Sequence, residues 1–458
     1  MTDLQFPAAE TDVAALVDDL RSRGVKYAIA SFVDMHGKPK GKFVPLNHLD
    51  RMIGGSELFT GAALDGLPQD LADEELSARP DVTRWFQAPW DPRLAYFPSL
   101  LVTEGELFDA SSRNILHTQL EAAAELGYGF NLGIETEFFV FADTPDGRHD
   151  SVSERDTADK PCYDVATTVD NFGWLSELVD AMNDLGWDVY SFDHEDGQGQ
   201  FEIDFTYSDA MTMADRLSFF RLMAGEITRR HGYFASFMPK PFGDRTGSGA
   251  HFNMSLSDLE TGRNLFEPDG DDTYGAGVSP LAYHFTAGVL RHAKAIAAVI
   301  APTVNSYKRL VRKGSMSGST WAPVFVSYGD NNRTNMMRVP LGGGRVECRA
   351  ADISCNPYLG AAFILAAGLE GIREGLDPGA PHGENLYDLT EAQIAQSGLQ
   401  LLPRDLGEAI EEFKADSLAR DVFGETLYNA FIDFKTAEWE SYRDHVSSWE
   451  SDRYLRFF

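Results

Sequence analysis

The stretch that most constrains this chain is Asn131-Leu-Gly-Ile-Glu-Thr-Glu-Phe-Phe-Val140. Leu132, Ile134, Phe138, Phe139 and Val140 give it the apolar weight of a buried strand, expected over 129–141. Glu135 and Glu137 stand two apart, so a strand turns both to one face, with Cα atoms roughly 6–7 Å apart. Two carboxylates that close, among large apolar groups, repel each other unless something positive sits between them. One reading is an edge strand with solvated acids. The other is a strand that supplies ligands to hard cations, and that reading needs further ligands downstream.

Four later stretches offer them. His194-Glu-Asp-Gly-Gln-Gly-Gln-Phe-Glu202 carries two glycines, which permit a tight turn and let Glu195 and Glu202 face one point across a hairpin. Gly247-Ser-Gly-Ala-His-Phe-Asn-Met-Ser255 contains His251, although a lone strand histidine is more often structural than a ligand. Asn305–Leu310 and Arg333–Arg338 add cations, and Arg345, Glu347 and Arg349 alternate onto one face. Oxygen ligands with one imidazole suit Mg²⁺ or Mn²⁺ better than zinc. Neighbouring arginines suit phosphate and carboxylate, which they grip bidentately. These are the parts needed for phosphoryl transfer. Neither a GxxxxGK[ST] loop nor a G-x-G-x-x-G between strand and helix occurs, so a nucleotide would be held another way.

Composition narrows the partners. Acids outnumber Lys plus Arg by 71 to 39, a net charge of −32, which argues against nucleic acid. Three cysteines, Cys162, Cys348 and Cys355, fit a reducing compartment. The acidic start lacks an apolar signal core, and no run of about 18 apolar residues occurs, so a soluble, cytoplasmic protein with no membrane partner is expected. Residues 54–81 show little periodicity and read as a long loop. An Ala-rich helix is expected over 281–301 and two helices after Asp405. A boundary near Phe108–Arg113 divides a small unit, residues 1–112, from a large one, residues 113–458.

GIETEFF, HED–GQGQFEI, KPFGDRTGSGAHFNMSL, NSYKRL, NRTNMMRVP, RVECR and NPYL resemble, in order, the signature segments of glutamine synthetases. DMHGKPKGKFVP and RPDVTRWFQAPWDP resemble that family's N-terminal β-grasp domain. The resemblance runs from about residue 22 to 440. It implies an α+β fold, with the β-grasp domain followed by a catalytic domain whose curved antiparallel sheet forms a half-barrel flanked by helices. It implies ATP as co-substrate and two Mg²⁺ or Mn²⁺ ions per active site. Glu137, Glu195 and Glu202 would hold the first ion, and Glu135, His251 and Glu347 the second. Gly247, Arg309 and Arg349 would bind glutamate, and Arg333, Arg338 and Arg345 the phosphates and the transferred phosphoryl group. Asn253 and Ser255 would contact the nucleotide, although the family usually has His at the position of Asn253. A homo-oligomer with shared sites, a dodecamer of two stacked hexamers, follows from the same resemblance. A non-catalytic homologue of this fold would have eroded ligands, and all six metal positions are intact.

Two positions depart from ammonia-using members. Thr60 stands where they carry an Asp, and Trp321 stands where they carry a Glu before an Ala-Pro pair. The segment from Leu310 to Trp321 is longer than usual, and Asp330 is the only acid from 310 to 346. Replacing two anions by Thr and Trp implies a larger, more apolar acceptor pocket. An aromatic face attracts an alkylammonium and packs its methyl group. This pattern resembles the γ-glutamylmethylamide synthetases and type III glutamine synthetases, and implies methylamine as acceptor. Ammonia, or a longer or aromatic amine, is the alternative. Asp65, Glu57 or a group near the metals would deprotonate the amine. Tyr387 sits where some members are adenylylated, though a loop tyrosine is usually plain surface.

Overall fold

The computed structural model describes residues 12–143, 149–312, 316, 318 and 320–458. The start of the chain and the middle of the Leu310–Trp321 segment therefore lie outside the described residues. Among the described residues, no helix is long and apolar enough to cross a membrane.

The N-terminal part is mostly sheet. Tyr27–Val33 pairs antiparallel with Pro39–Pro45 across the turn at Gly37, and parallel with Leu94–Thr103. Leu76–Pro80 continues the sheet beside Leu94–Thr103 and presents Leu76, Ala78 and Pro80 to the interior. The 54–81 stretch is thus not one long loop. Five residues at its end form an inner strand, too short for its period-2 pattern to stand out among Gly, Asp and Pro.

The larger part is built on two sheets. One runs in the order Ser208–Asp209, Tyr128–Ile134, Phe252–Asp258, Val346–Cys348, Asn335–Val339, Phe325–Asp330, Gln400–Leu401. The other joins His149–Ser151, Thr136–Asp143, Gln200–Phe205 and Val189–His194, with Phe234–Ser236 also on Thr136–Asp143. Pairings are antiparallel except Phe325–Asp330 with Asn335–Val339, which is parallel. The expected strand over 129–141 is two strands, Tyr128–Ile134 and Thr136–Asp143, one in each sheet, broken at Glu135. At the break the Glu135 N–H donates to the His251 carbonyl at 3.2 Å, and the Thr136 hydroxyl to the Ile203 carbonyl at 2.7 Å. One residue therefore carries the chain from sheet to sheet and curls the pair into a half-barrel.

Helices cover the outer faces. The alternation that turns Glu137 inward turns Phe138 outward. Phe138 meets Trp174 of Phe172–Asp184 and Phe220 of Ala210–Arg230 edge to face, at 6.1 and 5.5 Å between centroids. The Ala-rich segment is two helices, Pro280–Arg291 and Ala293–Ile300, interrupted at His292. The His292 ring is held by Asp416 at 2.7 Å and Glu370 at 3.1 Å. After Asp405 there are three helices, Leu406–Ala415, Ser417–Asp444 and Ser448–Tyr454. The second is kinked at Gly424, whose φ of 67° takes it out of helical geometry.

A buried ion network ties the N-terminal sheet to this framework. Arg113, on Ser112–Glu125, grips Asp215 of Ala210–Arg230 through two bonds of 2.9 Å and reaches Asp81 at 3.1 Å. Tyr358 donates to the same Asp215 at 2.7 Å. Burial alone would raise the Asp81 pKa, but the Arg113 and Arg84 guanidiniums override it and hold the carboxyl below its ordinary value. Removing one partner of such a network strands the others. Arg113→Met is expected to lower stability by about 3–5 kcal/mol at neutral pH, read by chemical denaturation. Because the folded pKa of Asp81 is depressed, its stabilisation is full above the unfolded-state value of about 3.9 and lost as pH falls through the lower folded value. The gap between wild type and variant should narrow over that same interval.

Candidate active site

The site lies where the two sheets meet. Glu135 occupies the break between them, and His251 and Glu347 come from neighbouring strands of the larger sheet. His251 Nδ1 is 2.6 Å from Glu135 Oε2 and 3.5 Å from Glu347 Oε1, and donor atoms of all three lie within 4.8 Å of one another. His251 Nε2 points the other way, 3.7 Å from Glu137 Oε1. The imidazole therefore stands between the two acids of the opening motif.

Glu137 faces the second group. It is the cross-strand partner of Glu202; across the hairpin Asp193 stands opposite Glu202, and the Glu195 N–H donates to the Gln200 carbonyl at 2.9 Å. These carboxyls share one field. Burial, then the Glu137 charge, pushes Glu195 up to about 7. Burial and Glu195 raise Glu202 well above the carboxylate range. Asp204, two residues beyond Glu202 on the same strand face, is pushed up to about 7 by burial and by Glu135. Glu135 goes the opposite way. Burial would raise it, but the His251 imidazole and the Arg349 guanidinium hold it at about 2.

A crowded set of acids that cannot all ionise together is the environment a cation relieves. The donors are carboxylate oxygens with one imidazole, and Glu347 Oε2 has no hydrogen-bond partner although Arg338 Nη1 is 3.0 Å away. This donor set fits hard divalent ions.

The approach of the backbone at Gly249 is as close as a glycine permits. Its N–H donates to Glu137 Oε2 at 2.6 Å. A Cβ there would lie 2.8 Å from Arg309 Nη2, 2.8 Å from His251 Nε2 and 3.0 Å from Glu137 Oε1. Gly247 is also confined, with the Arg309 Cγ 2.9 Å from where its Cβ would be.

The arginines fall into two groups. Arg309 is buried, donating to the Ala350 and Arg349 carbonyls at 3.2 and 3.1 Å, with Nη2 3.5 Å from His251 Nε2. Arg349 is buried too, donating to Glu347 Oε1 at 2.7 Å and to the Trp321 carbonyl at 3.1 Å. Arg333 and Arg345 stay exposed at the rim, and Arg338 is partly covered. Asn253 connects the groups: its amide donates to Glu135 Oε1 at 3.0 Å, and its carbonyl accepts from Arg345 Nε at 3.2 Å. Ser255 Oγ accepts from Asn131 at 3.4 Å.

Trp321 adopts the left-handed region, φ 54°, uncommon for a bulky residue. Arg349 holds its carbonyl, and its indole N–H donates to Asp196 Oδ2 at 3.0 Å, which also accepts from Thr246 at 2.9 Å. An anion thus does lie beside the indole, contrary to the expectation of an acceptor pocket stripped of acids. Asp196 follows Glu195 in the His194–Glu202 motif, and Asp204 alternates with Glu202; in hindsight their positions carried the signal. Thr60 is not brought to Trp321 within the chain and donates to Glu75 at 3.1 Å. Asp65 faces His36 at 3.8 Å and Glu57 faces Ser56 at 2.9 Å, both on the N-terminal sheet side. Tyr387 is not plain surface: its hydroxyl donates to the Ala322 carbonyl at 2.7 Å, next to Trp321.

A sequence profile described as "Glutamine synthetase, catalytic domain" matches residues 109–454. The chain belongs to the glutamine synthetase family. Family ligases use ATP and divalent metals. A relative named glutamate–methylamine ligase, from Methyloversatilis universalis, is 41% identical over 96% of this chain and 98% of its own length. A glutamine synthetase from Rhizobium meliloti is 38% identical over 94% of this chain and 96% of its own. The solved structure described as "GmaS/ADP complex-Conformation 1" superposes with a TM-score of 0.88 at 38% identity, covering 96% of this chain and 99% of that one.

Gly249→Ala forces a methyl group against three site side chains at once. The expected result is a fall of about tenfold or more in affinity for Mn²⁺, measured by calorimetric titration, with far-ultraviolet circular dichroism unchanged.

Proposed function

We propose that this protein ligates L-glutamate, through its γ-carboxylate, to a small primary amine, with methylamine preferred and ATP as phosphoryl donor. The γ-phosphoryl group of ATP passes to the glutamate carboxylate, giving γ-glutamyl phosphate and ADP. The amine nitrogen then forms the C–N bond, phosphate leaves and the amine gives up a proton, yielding γ-glutamylmethylamide. The observation that carries the choice of amine is Trp321. Its aromatic face, 46% exposed, is fixed beside the acid cluster by Asp196 and Arg349. A ring next to a carboxylate suits an alkylammonium, which has both a charge and a methyl group to place. The name of the Methyloversatilis relative supports the same reading.

The roles follow from position. Glu135, His251 and Glu347 would hold one ion, and Glu137, Glu195 and Glu202 the other. Mg²⁺ or Mn²⁺ bound there supplies neutralisation of phosphate charge. Arg309, Arg349 and the Gly247 backbone orient glutamate beside those carboxylates. Arg333, Arg338 and Arg345 grip the phosphates from the rim, where preorganised cations favour the developing charge of transfer. Asn253 and Ser255 contact the nucleotide, Asn253 also aligning Arg345. Tyr387, bonded to the Ala322 carbonyl, holds the backbone that follows Trp321.

Two further elements of this reading concern organisation. Residues 1–112 and 113–458 act as separate domains, and a ring oligomer, two stacked hexamers, places Thr60 of one subunit by Trp321 of the next. Its support is that Thr60 lies on an exposed loop with no counterpart in its own chain's site.

Phosphate release with ATP, glutamate and each amine in turn tests the proposal. Methylamine should give a higher kcat/KM than ammonia, and equal values would sink the acceptor assignment. Trp321→Ala should lower kcat/KM for methylamine by about 2- to 30-fold, the span of a cation–π contact of about 0.5–2 kcal/mol, while changing that for ammonia less.

A further inference from the structure

A second cavity, of about 700 Å³, lies beneath the tip of the N-terminal hairpin. Residues 35–39 roof it, and the helices Ala210–Arg230, Pro357–Glu374 and Ser417–Asp444 wall it. None of the acids assigned to the ion sites lines it. Its charged lining is Lys38, Arg221, Lys435 and a single acid, Glu438, beside the His36 imidazole, whose pKa burial and Lys435 hold below the ordinary value. In a chain with net charge −32, an excess of cations around an internal space runs against the background.

Lys435 is 4% exposed and pairs with Glu438 at 3.0 Å, and Lys38 is exposed to solvent, which leaves Arg221 as the part-buried cation of the lining without an ion pair among the described residues. Its Nη2 donates to the Cys355 carbonyl at 2.7 Å. Its buried Nε has no hydrogen-bond partner among the described residues, nor does Arg221 form an ion pair with any of them. Asp352 is a buried carboxylate that acts on it through space: its Oδ1 accepts from the Ser354 hydroxyl at 2.6 Å, and its Oδ2 has no hydrogen-bond partner among the described residues. Burial pulls the Arg221 pKa below the ordinary arginine value. A guanidinium does not shed its proton in proteins, so the fold keeps a part-buried cation whose Nε is shielded from water and unpartnered among the described residues. Such a group is strongly unfavourable until a hydrogen-bonding anion meets it.

The rest of the lining describes the other end of a ligand. Phe237, Leu359, Phe431 and Val299 are apolar, and Ser236 and Asn305 add polar groups. Inorganic phosphate would leave the apolar half unused. We propose that this cavity binds a small organic carboxylate, with its anionic end on Arg221 and its carbon body against Leu359, Phe431 and Phe237.

The cavity wall continues into the active site. Asn305 bonds to both the N–H and the carbonyl of Lys240, at 2.7 and 3.0 Å, and Pro239 accepts from the Ser248 N–H at 2.8 Å. Ser248 precedes Gly249, and Asn305 caps the helix Ser306–Arg309. An occupant would therefore touch the segments that set Gly249 and Arg309.

Calorimetric titration of the full-length protein with hexanoate and with benzoate tests the site, with inorganic phosphate as comparator and saturating glutamate present throughout. Hexanoate or benzoate should bind with glutamate in place, more tightly than phosphate. Arg221→Met should weaken that binding by about tenfold or more, and Arg221→Lys should recover part of it. Failure of both carboxylates to bind wild type, equal binding by R221M, or phosphate binding as well as the carboxylates would each overturn the proposal. If R221M does not fold, crystals of the wild type soaked in hexanoate decide. Density against Arg221 supports the site, and its absence rejects it.

Discussion

Repulsion among buried carboxylates is the constraint around which this molecule is arranged. Glu135, Glu137, Glu195, Glu202, Glu347 and Asp204 gather at the seam of two sheets, where burial and mutual charge drive several of them far from their ordinary ionisation. Folding alone would not favour such a cluster, since hydrophobic residues of similar volume would pack there without an electrostatic penalty. What makes it tolerable is positive charge. Arg338 and Arg349 supply part of it from the protein, touching Glu347. The Glu137 side has fewer cations of its own, and the pKa values show it.

The surrounding structure holds those groups in place against their repulsion. Each acid sits on a strand or at a strand break, so its Cα is fixed by the ladder. Behind the strand carrying Glu137, Phe138, Trp174, Phe201 and Phe220 form an edge-to-face aromatic cluster. That packing is the apolar half of the alternation that aims the carboxylate inward. In front, Gly249 allows a backbone N–H to bond the carboxylate directly. The Trp321 backbone, held in the left-handed region, is fastened from both ends: its carbonyl to Arg349, its indole to Asp196. Trp321 is thereby mechanically connected, through Arg349, to Glu347.

The path from motif to site was unevenly legible. Period-2 alternation exposed the helices' partner strands, the Gln200–Phe205 hairpin and the pairing of Glu135 with Glu137 on one face. It missed the break at Glu135, because a strand that passes from one sheet to another keeps its alternation through the bend. It also missed Leu76–Pro80, which is too short, and the interruption at His292, which depends on Asp416 and Glu370 far along the chain. Tyr387 read as loop surface for the same reason: its partner, the Ala322 carbonyl, is 65 residues away.

By itself the sequence determined the chemistry on offer: acids and one imidazole of the kind that suits hard cations, and arginines of the kind that suits phosphate and carboxylate. Residue type and local spacing carry that information, because side-chain chemistry does not depend on fold. Only the tertiary structure decided which groups meet. It set His251 between two acids and brought Asp196 to the indole of Trp321. Those encounters join residues from 114 to 125 positions apart, and no local pattern encodes a contact whose two halves are brought together by packing.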